Sequence, residues 1–403
     1  MNQSALLSRR FEDTVRILHV ITRLILGGAQ ENTLLTCEDL IRTYGDDVLL
    51  VTGPPLGPEG SLLERARAGE VPTVVVPSLR RVINPVHDIR AYWAISRIIR
   101  EFRPDVVHTH SAKAGILGRA AAWRLHVPAI VHTVHGAPFH PYQPRLARLF
   151  IAACERWAAR QCHRLISVAD AMTELLVSAG VAPREKFVTI YSGMEVEPFL
   201  QAGEHRHRMR EQLGYSETHF VVGTIARLFH LKGHEDILRA AGYLIPRFPQ
   251  VRFLWVGDGL LRARLERQIR QAGWSSYFRL VGLVPPEKLP EYLAAMDAVV
   301  HPSLREGLAR VLPQALLAGK PVVSYDVDGA REVVQTGETG FLVPARDWMS
   351  MAHAIAQLIE TPALGSQLAE KGRRLCMERF SHERMTAQIR KVYEEVLKNR
   401  QDQ

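Results

Sequence analysis

The sequence predicts an α/β protein built from two open, doubly wound parallel sheets. Two patterns predict it. Short runs rich in Val, Ile and Leu recur along the chain, mostly separated by about 10–20 residues of helical periodicity. The series then breaks off at a polar, strandless stretch near residue 200 and starts afresh. Near-continuous apolar runs suit parallel strands covered on both faces, and strand–helix alternation implies right-handed crossovers between them.

The first series reads VRILHVI (15–21), DVLLVTG (47–53), PTVVVP (72–77), PDVVHTH (104–110), PAIVHTV (128–134), RLISVA (164–169) and FVTIYSG (187–193). The stretch EVEPFLQAGEHRHRMREQLGYSET follows. The second series reads HFVVGTIA (219–226), VRFLWVG (251–257), YFRLVG (277–282), DAVVHPS (297–303), PVVSYD (321–326) and GFLVP (340–344). Domains are therefore expected over 1–200 and 201–380. An amphipathic helix within 381–403, with no strand after it, is expected to pack back toward the first domain. Two such sheets in one chain create a cleft, and ligands of such sheets bind at the carboxyl ends of the strands.

Composition narrows the class. Of 403 residues, 47% are hydrophobic and 23% charged, the mix of a globular chain, which excludes disorder and collagen-like structure. No apolar stretch is long enough to span a bilayer. The opening MNQSALLSRRFED has no apolar core ahead of its charges, so a secretory signal is not expected. Cys37, Cys154, Cys162 and Cys376 show no C-x-x-C spacing, which points to a reducing cytoplasm. The net charge of +9 is spread evenly, an excess of four over residues 1–200 and of five over 201–403. A nucleic-acid partner is not expected from such a spread; an acidic small substrate or an anionic membrane surface fits better.

Two segments carry the chemistry. Thr224-Ile225-Ala226-Arg227-Leu228-Phe229-His230-Leu231-Lys232-Gly233-His234 runs from a strand into a helix. Cations Arg227 and Lys232 on that loop, beside a helix N-terminus, suit a diphosphate; a solvated basic loop is the plainer alternative. His301-Pro302-Ser303-Leu304-Arg305-Glu306-Gly307-Leu308-Ala309-Arg310-Val311-Leu312-Pro313-Gln314 follows another strand. Pro313 belongs in the first turn of a helix, which places Glu306 in the loop ahead and lets residues 307–311 offer amides. Glu306 either accepts from sugar hydroxyls or caps the helix.

Together these segments resemble a retaining glycosyltransferase of family 4. Gly27-Gly28-Ala29-Gln30, HTHSAKAGILGR, HTVHG, Val256-Gly257-Asp258-Gly259 and Pro302-Ser303 with Glu306-Gly307 carry the same resemblance. It implies a GT-B fold, two facing Rossmann-like domains, with the acceptor on the N-terminal side and the nucleotide-sugar donor on the C-terminal side. It further implies that Arg227 and Lys232 bind the donor diphosphate and that Gly27 and Gly28 approach the donor phosphate and sugar. By the same likeness His135 sits near the reacting sugar carbon and Glu306 reads the sugar hydroxyls. Gly307, Leu308 and Ala309 then line sugar and phosphates. The family's second acid, which holds the ribose diol, is Gln314 here, and its usual glycine reads Ala309; an amide can still donate and accept there, without charge assistance.

The implied reaction is hexosyl transfer from a nucleotide-diphosphate sugar, UDP favoured, to a glycan or lipid-linked acceptor. A nucleotide-sugar 2-epimerase and a non-catalytic nucleotide-sugar binder are the alternatives. No metal or other cofactor is expected. His108, His110, His132 and His135 sit at strand ends in H-x-H and H-x-x-H spacing, but no carboxylate joins them and zinc sites gather three or four ligands. Lys113 could hold an acceptor phosphate but reads more simply as a surface lysine. Within 143–164, Arg145, Arg148, Arg156, Arg160 and Arg164 fall near one helical face, with Leu146, Leu149, Phe150, Ala153 and Trp157 on another. The expected reading is a domain helix with its apolar stripe in the core. The alternative is a helix lying on anionic lipid, helped by the loop Leu79-Arg80-Arg81-Val82-Ile83. That would place the protein peripherally on the inner face of the membrane.

Overall fold

The computed structural model describes residues 14–56, 60–140 and 142–401; the opening segment read above for a signal lies outside them. The chain forms two compact units, Met1–Met194 with His382–Gln403, and Glu195–Ser381. The break thus falls a few residues ahead of the expected position near 200.

Each of the thirteen apolar runs contains one strand. In the first unit these are β1 (Arg16–Ile21), β2 (Asp47–Thr52), β3 (Thr73–Val75), β4 (Val106–His110), β5 (Ala129–Val134), β6 (Arg164–Ser167) and β7 (Phe187–Thr189). They form one parallel sheet in the order β3-β2-β1-β4-β5-β6-β7. The second unit holds β8 (Phe220–Ile225), β9 (Val251–Val256), β10 (Phe278–Gly282), β11 (Ala298–His301), β12 (Val322–Tyr325) and β13 (Gly340–Val343). Their order is β10-β9-β8-β11-β12-β13, again all parallel. In both sheets the winding reverses beside the first strand, between β1 and β4 and between β8 and β11. Every residue of β4 and β5 is buried, as helices on both faces demand.

The helices follow local chemistry. Pro85–Phe102 starts at Asn84, whose side-chain oxygen accepts from Val86 N at 3.0 Å and His87 N at 3.1 Å, with Pro85 at the first position. The last helix, His382–Gln401, belongs to the first unit. Asp39 accepts from His382 Nδ1 at 2.8 Å and from Thr386 Oγ1 at 2.7 Å, and Arg390 Nε donates to Asp46 at 2.9 Å. Met385, Ile389, Val392, Tyr393 and Val396 enter the apolar core beside β1 and β2.

The helix expected within 143–164 spans Arg145–Ala159, and Arg164 opens β6 instead of sharing its face. Its apolar stripe is not in the core. Leu146, Leu149, Phe150 and Trp157 are 82%, 62%, 65% and 48% exposed. The inward face is small: Ala152, Glu155, Ala158 and Ala159. Glu155 accepts from Arg119 Nη2 at 2.9 Å, and both side chains are buried. Close approach to helix Ala112–Arg124 admits alanines and this one pair, so the bulky side chains are left outside.

Candidate active site

In the second unit the two chemical segments meet at the carboxyl ends of β8 and β11, neighbours in the sheet although β9 and β10 lie between them in the chain. Backbone stitches them together. Leu304 N donates to Leu231 O at 2.8 Å, and Ser303 Oγ donates to the same oxygen at 3.2 Å. Gly233 has φ +75°, and a Cβ there would lie 2.0 Å from Pro302 O, so the two loops touch where only glycine fits.

That contact delivers Lys232 to Glu306, and the two form an ion pair. Glu306 Oε1 also accepts from His301 Nε2 at 3.1 Å, and Glu306 N donates to Asp328 Oδ2 at 2.6 Å. Partial burial alone would raise the Glu306 carboxyl. The Lys232 charge and the His301 hydrogen bond outweigh it and hold the carboxyl well below the usual carboxylate range. Glu306 therefore does not cap the following helix, Val311–Leu317, which has no side-chain cap. Arg227, on the same loop as Lys232, lies over the Phe229 ring at 5.1 Å. This loop also borders a cavity of about 290 Å³ shared with Asp236, Arg239, Leu304 and Arg346.

Past Glu306 the backbone is open. Among the described residues the amides of Gly307, Leu308 and Ala309 donate to no backbone carbonyl, while Gly307 O accepts from Gly329 N at 3.2 Å. Leu308 and Ala309 are buried. Gln314 lies on the short helix and is buried.

In the first unit Gly27 precedes the helix Gly28–Tyr44, and Gly27 O accepts from Gln30 N and Glu31 N. His135 follows β5. Its Nε2 lies 3.0 Å from His110 Nδ1, and His110 Nε2 lies 3.0 Å from His19 Nδ1. His132 Nδ1 pairs with Thr109 Oγ1 at 2.9 Å. His108 pairs with the Tyr393 hydroxyl and with Thr133 Oγ1 at 2.7 Å. Lys113 is neither a solvated surface lysine nor a free cation: it is paired with Asp88 at 2.6 Å and donates to Val82 O. Asp88 lies one turn into the preceding helix, a distance in sequence that no motif spans.

Four participants had no assignment from the sequence: His301, Asp328, His19 and His110 as a partner of His135. His301 ends β11, so its closeness to Glu306 was open to reading from the motif itself. Asp328 follows β12 and His19 sits on β1; only strand order brings Asp328 to Glu306 and His19 to His110.

Two family models match the chain, glycosyl transferase 4-like domain over residues 27–193 and glycosyl transferases group 1 over residues 205–375. The chain is 28% identical, over 96% of its length and 98% of the relative's, to an Escherichia coli UDP-Gal:alpha-D-GlcNAc-diphosphoundecaprenol alpha-1,3-galactosyltransferase. It is 27% identical, over 89% and 92% of the two chains, to a Mycobacterium tuberculosis GDP-mannose-dependent alpha-mannosyltransferase. Among solved structures, Anabaena Alr3699/HepE in complex with UDP and glucose aligns with a TM-score of 0.82 at 24% identity, covering 94% of this chain and 99% of that one. That likeness shows the GT-B fold.

Proposed function

The chain belongs to the group 1, 4-like glycosyltransferases and is a hexosyltransferase, and from this premise we propose that it transfers a hexose with retention from a UDP-sugar to a glycan or lipid-linked acceptor. The observation that carries the reading is the Lys232–Glu306–His301 cluster at the point where the second sheet's strand order reverses, the place where open α/β sheets bind ligands. The E. coli relative's name supplies a UDP-sugar and a diphosphoundecaprenol-linked acceptor, and the Anabaena structure holds UDP and glucose.

In this mechanism Arg227 and Lys232 neutralise the diphosphate as the bond to the anomeric carbon breaks, the step at which negative charge grows. A diphosphate draws Lys232 away from Glu306. Glu306, still held by His301, is then released to accept from sugar hydroxyls. The open amides of 307–309 line the same anion, with Leu308 and Ala309 supplying backbone only. Gln314 takes the ribose hydroxyls. Gly27 and Gly28 approach the donor phosphate and sugar, and His135 hydrogen-bonds to the sugar. The acceptor oxygen bonds to the anomeric carbon on the face the phosphate leaves, and the departing phosphate oxygen takes the acceptor proton. The cations do the neutralising, so transfer should persist in excess chelator.

A thermal-shift panel of UDP, GDP, ADP and their hexoses tests the donor. At a hundred times its dissociation constant a ligand stabilises by about 2.7 kcal/mol. Stabilisation by UDP-sugars, and an α-linked product from an α-linked donor by NMR, is the expected result; no response to any sugar nucleotide contradicts it.

We also propose that the outward face of Arg145–Ala159 rests on an anionic membrane at its cytoplasmic surface. Leu146, Leu149, Phe150 and Trp157 are exposed there beside Arg145, Arg148, Arg156 and Arg160, and Val82 and Ile83 are exposed too. No helix among the described residues is long and apolar enough to cross a membrane. The full chain should sediment with anionic but not zwitterionic vesicles, less so in high salt, and Leu149→Glu with Phe150→Glu should abolish it. Unchanged sedimentation of that double variant contradicts the assignment.

A further inference from the structure

His19, His110 and His135 come from β1, the end of β4 and the loop after β5, and their rings form one hydrogen-bonded row. His19 Nδ1 lies 3.0 Å from His110 Nε2, and His110 Nδ1 lies 3.0 Å from His135 Nε2. The ring planes are inclined by only 10° and 28°, with centroids 5.2 Å and 5.3 Å apart. His19 and His110 are buried.

Burial keeps both neutral. It pushes His19 down to about 3, and it pushes His110 well below its ordinary value with the neighbouring histidines adding to the effect. A neutral imidazole has one N–H and one lone pair. A row of such rings then has two consistent directions. Either each ring carries its proton on Nδ1 and the bonds run from His19 toward His135, or each carries it on Nε2 and they run back. The two directions leave different groups at the buried His19 end. His19 Nε2 is buried and has no hydrogen-bond partner among the described residues. In the second direction it is an N–H with no acceptor; in the first it is only a bare lone pair. A buried N–H without an acceptor is the rarer and costlier defect.

We infer that His19 and His110 are positioning residues that hold the His135 imidazole as its Nδ1–H tautomer, with Nε2 accepting from His110. This rests on the assignment of His135 to the donor sugar. A free histidine side chain favours the other tautomer, so the row selects the minority form. The consequence is chemical: His135 Nε2 is already occupied and Nδ1 carries the proton. His135 therefore acts toward the sugar as a hydrogen-bond donor and not as a base. The trio His19, His108 and His110 also brings ligand-capable atoms within 4.8 Å. Both nitrogens of His108 and both of His110 are engaged in hydrogen bonds, to Tyr393 and Thr133 and to His19 and His135.

The test is a long-range ¹⁵N–¹H correlation spectrum of the full chain labelled at histidine, near neutral pH, with His135 identified by its absence in His135→Phe. The wild type should show His135 protonated at Nδ1 only. His19→Asn, whose amide reaches the Nδ1 position and donates from it, should keep that pattern, whereas His19→Phe should lose it. In His110→Phe the pattern should also be lost, and kcat should fall about tenfold or more with donor KM little changed. A protonated Nε2 on wild-type His135 overturns the inference. So does an unaltered kcat in folded His110→Phe. Full transfer by His135→Phe instead removes the role assigned to His135 and leaves the tautomer to be decided by the spectrum.

Discussion

Lys232 and Glu306 face each other as opposite charges in a half-buried setting, and the Lys232 charge helps hold the Glu306 carboxyl ionised. Lys232→Ala therefore removes a cation from the diphosphate and leaves Glu306 with only His301. Transfer should fall about a hundredfold or more in Lys232→Ala and in Arg227→Ala, with the fold intact by circular dichroism. Full activity in either variant takes that residue out of the mechanism. Gln314→Glu should keep or strengthen nucleotide affinity by titration calorimetry, since a carboxylate accepts the ribose hydroxyls with charge assistance; lost binding contradicts the ribose assignment. His234, two residues on from Lys232, packs edge-on against Trp255 and neither ring nitrogen has a partner among the described residues. Burial first, then the His301 and Lys232 charges, push its pKa from 6.5 to about 4. The unfolded chain thus binds more protons at this site between those values. Stability should rise with pH through that window and level off above it. His234→Phe should flatten the acid-side fall in Tm, by no more than about 3 kcal/mol in stability terms. An unchanged slope between pH 4 and 6.5 excludes His234 as its source.

At the scale of the element, Arg145–Ala159 shows how one buried pair orients a whole helix. Glu155 meets Arg119 inside, and the larger apolar side chains face outward. Glu155→Ala leaves a guanidinium buried without its counter-charge. The cost should be about 3–5 kcal/mol, a fall in Tm of roughly 10 °C. Restoring a packed apolar pair, Arg119→Met with Glu155→Leu, should recover most of it. A Glu155→Ala melt within about 2 °C of wild type means that alanine packing, not the pair, orients the helix. The loop from β8 into helix His234–Leu244 obeys the same logic. Its course is dictated by Gly233 against Pro302 and by Leu231 O, and the charges ride on that backbone.

At the scale of the molecule, the chain leaves the first unit at Met194 and returns to it at His382. The returning helix covers part of the first unit's apolar core and supplies partners to Asp39, Asp46 and His108. A chain ending at Ser381 should lose the cooperative melting of the first unit and expose it to limited proteolysis, while the second unit melts as before; a truncated chain that melts like the full one contradicts this. The thirteen strands and the two-series order of elements were legible in the amino-acid sequence, because buried apolar runs and helical periodicity are local properties of a chain. So were Arg227, Lys232 and Glu306 as chemical groups on strand-to-helix loops. Their partners were not. Lys232 meets Glu306 because β8 and β11 are neighbours, Glu306 N meets Asp328 from the loop after β12, and three histidines line up across β1, β4 and the loop after β5. The outward face of Arg145–Ala159 belongs with them, since its periodicity marks an apolar stripe without saying what lies on either side. Strand order and packing distance join residues far apart in the chain, and those long-range choices are made only when the sheets assemble.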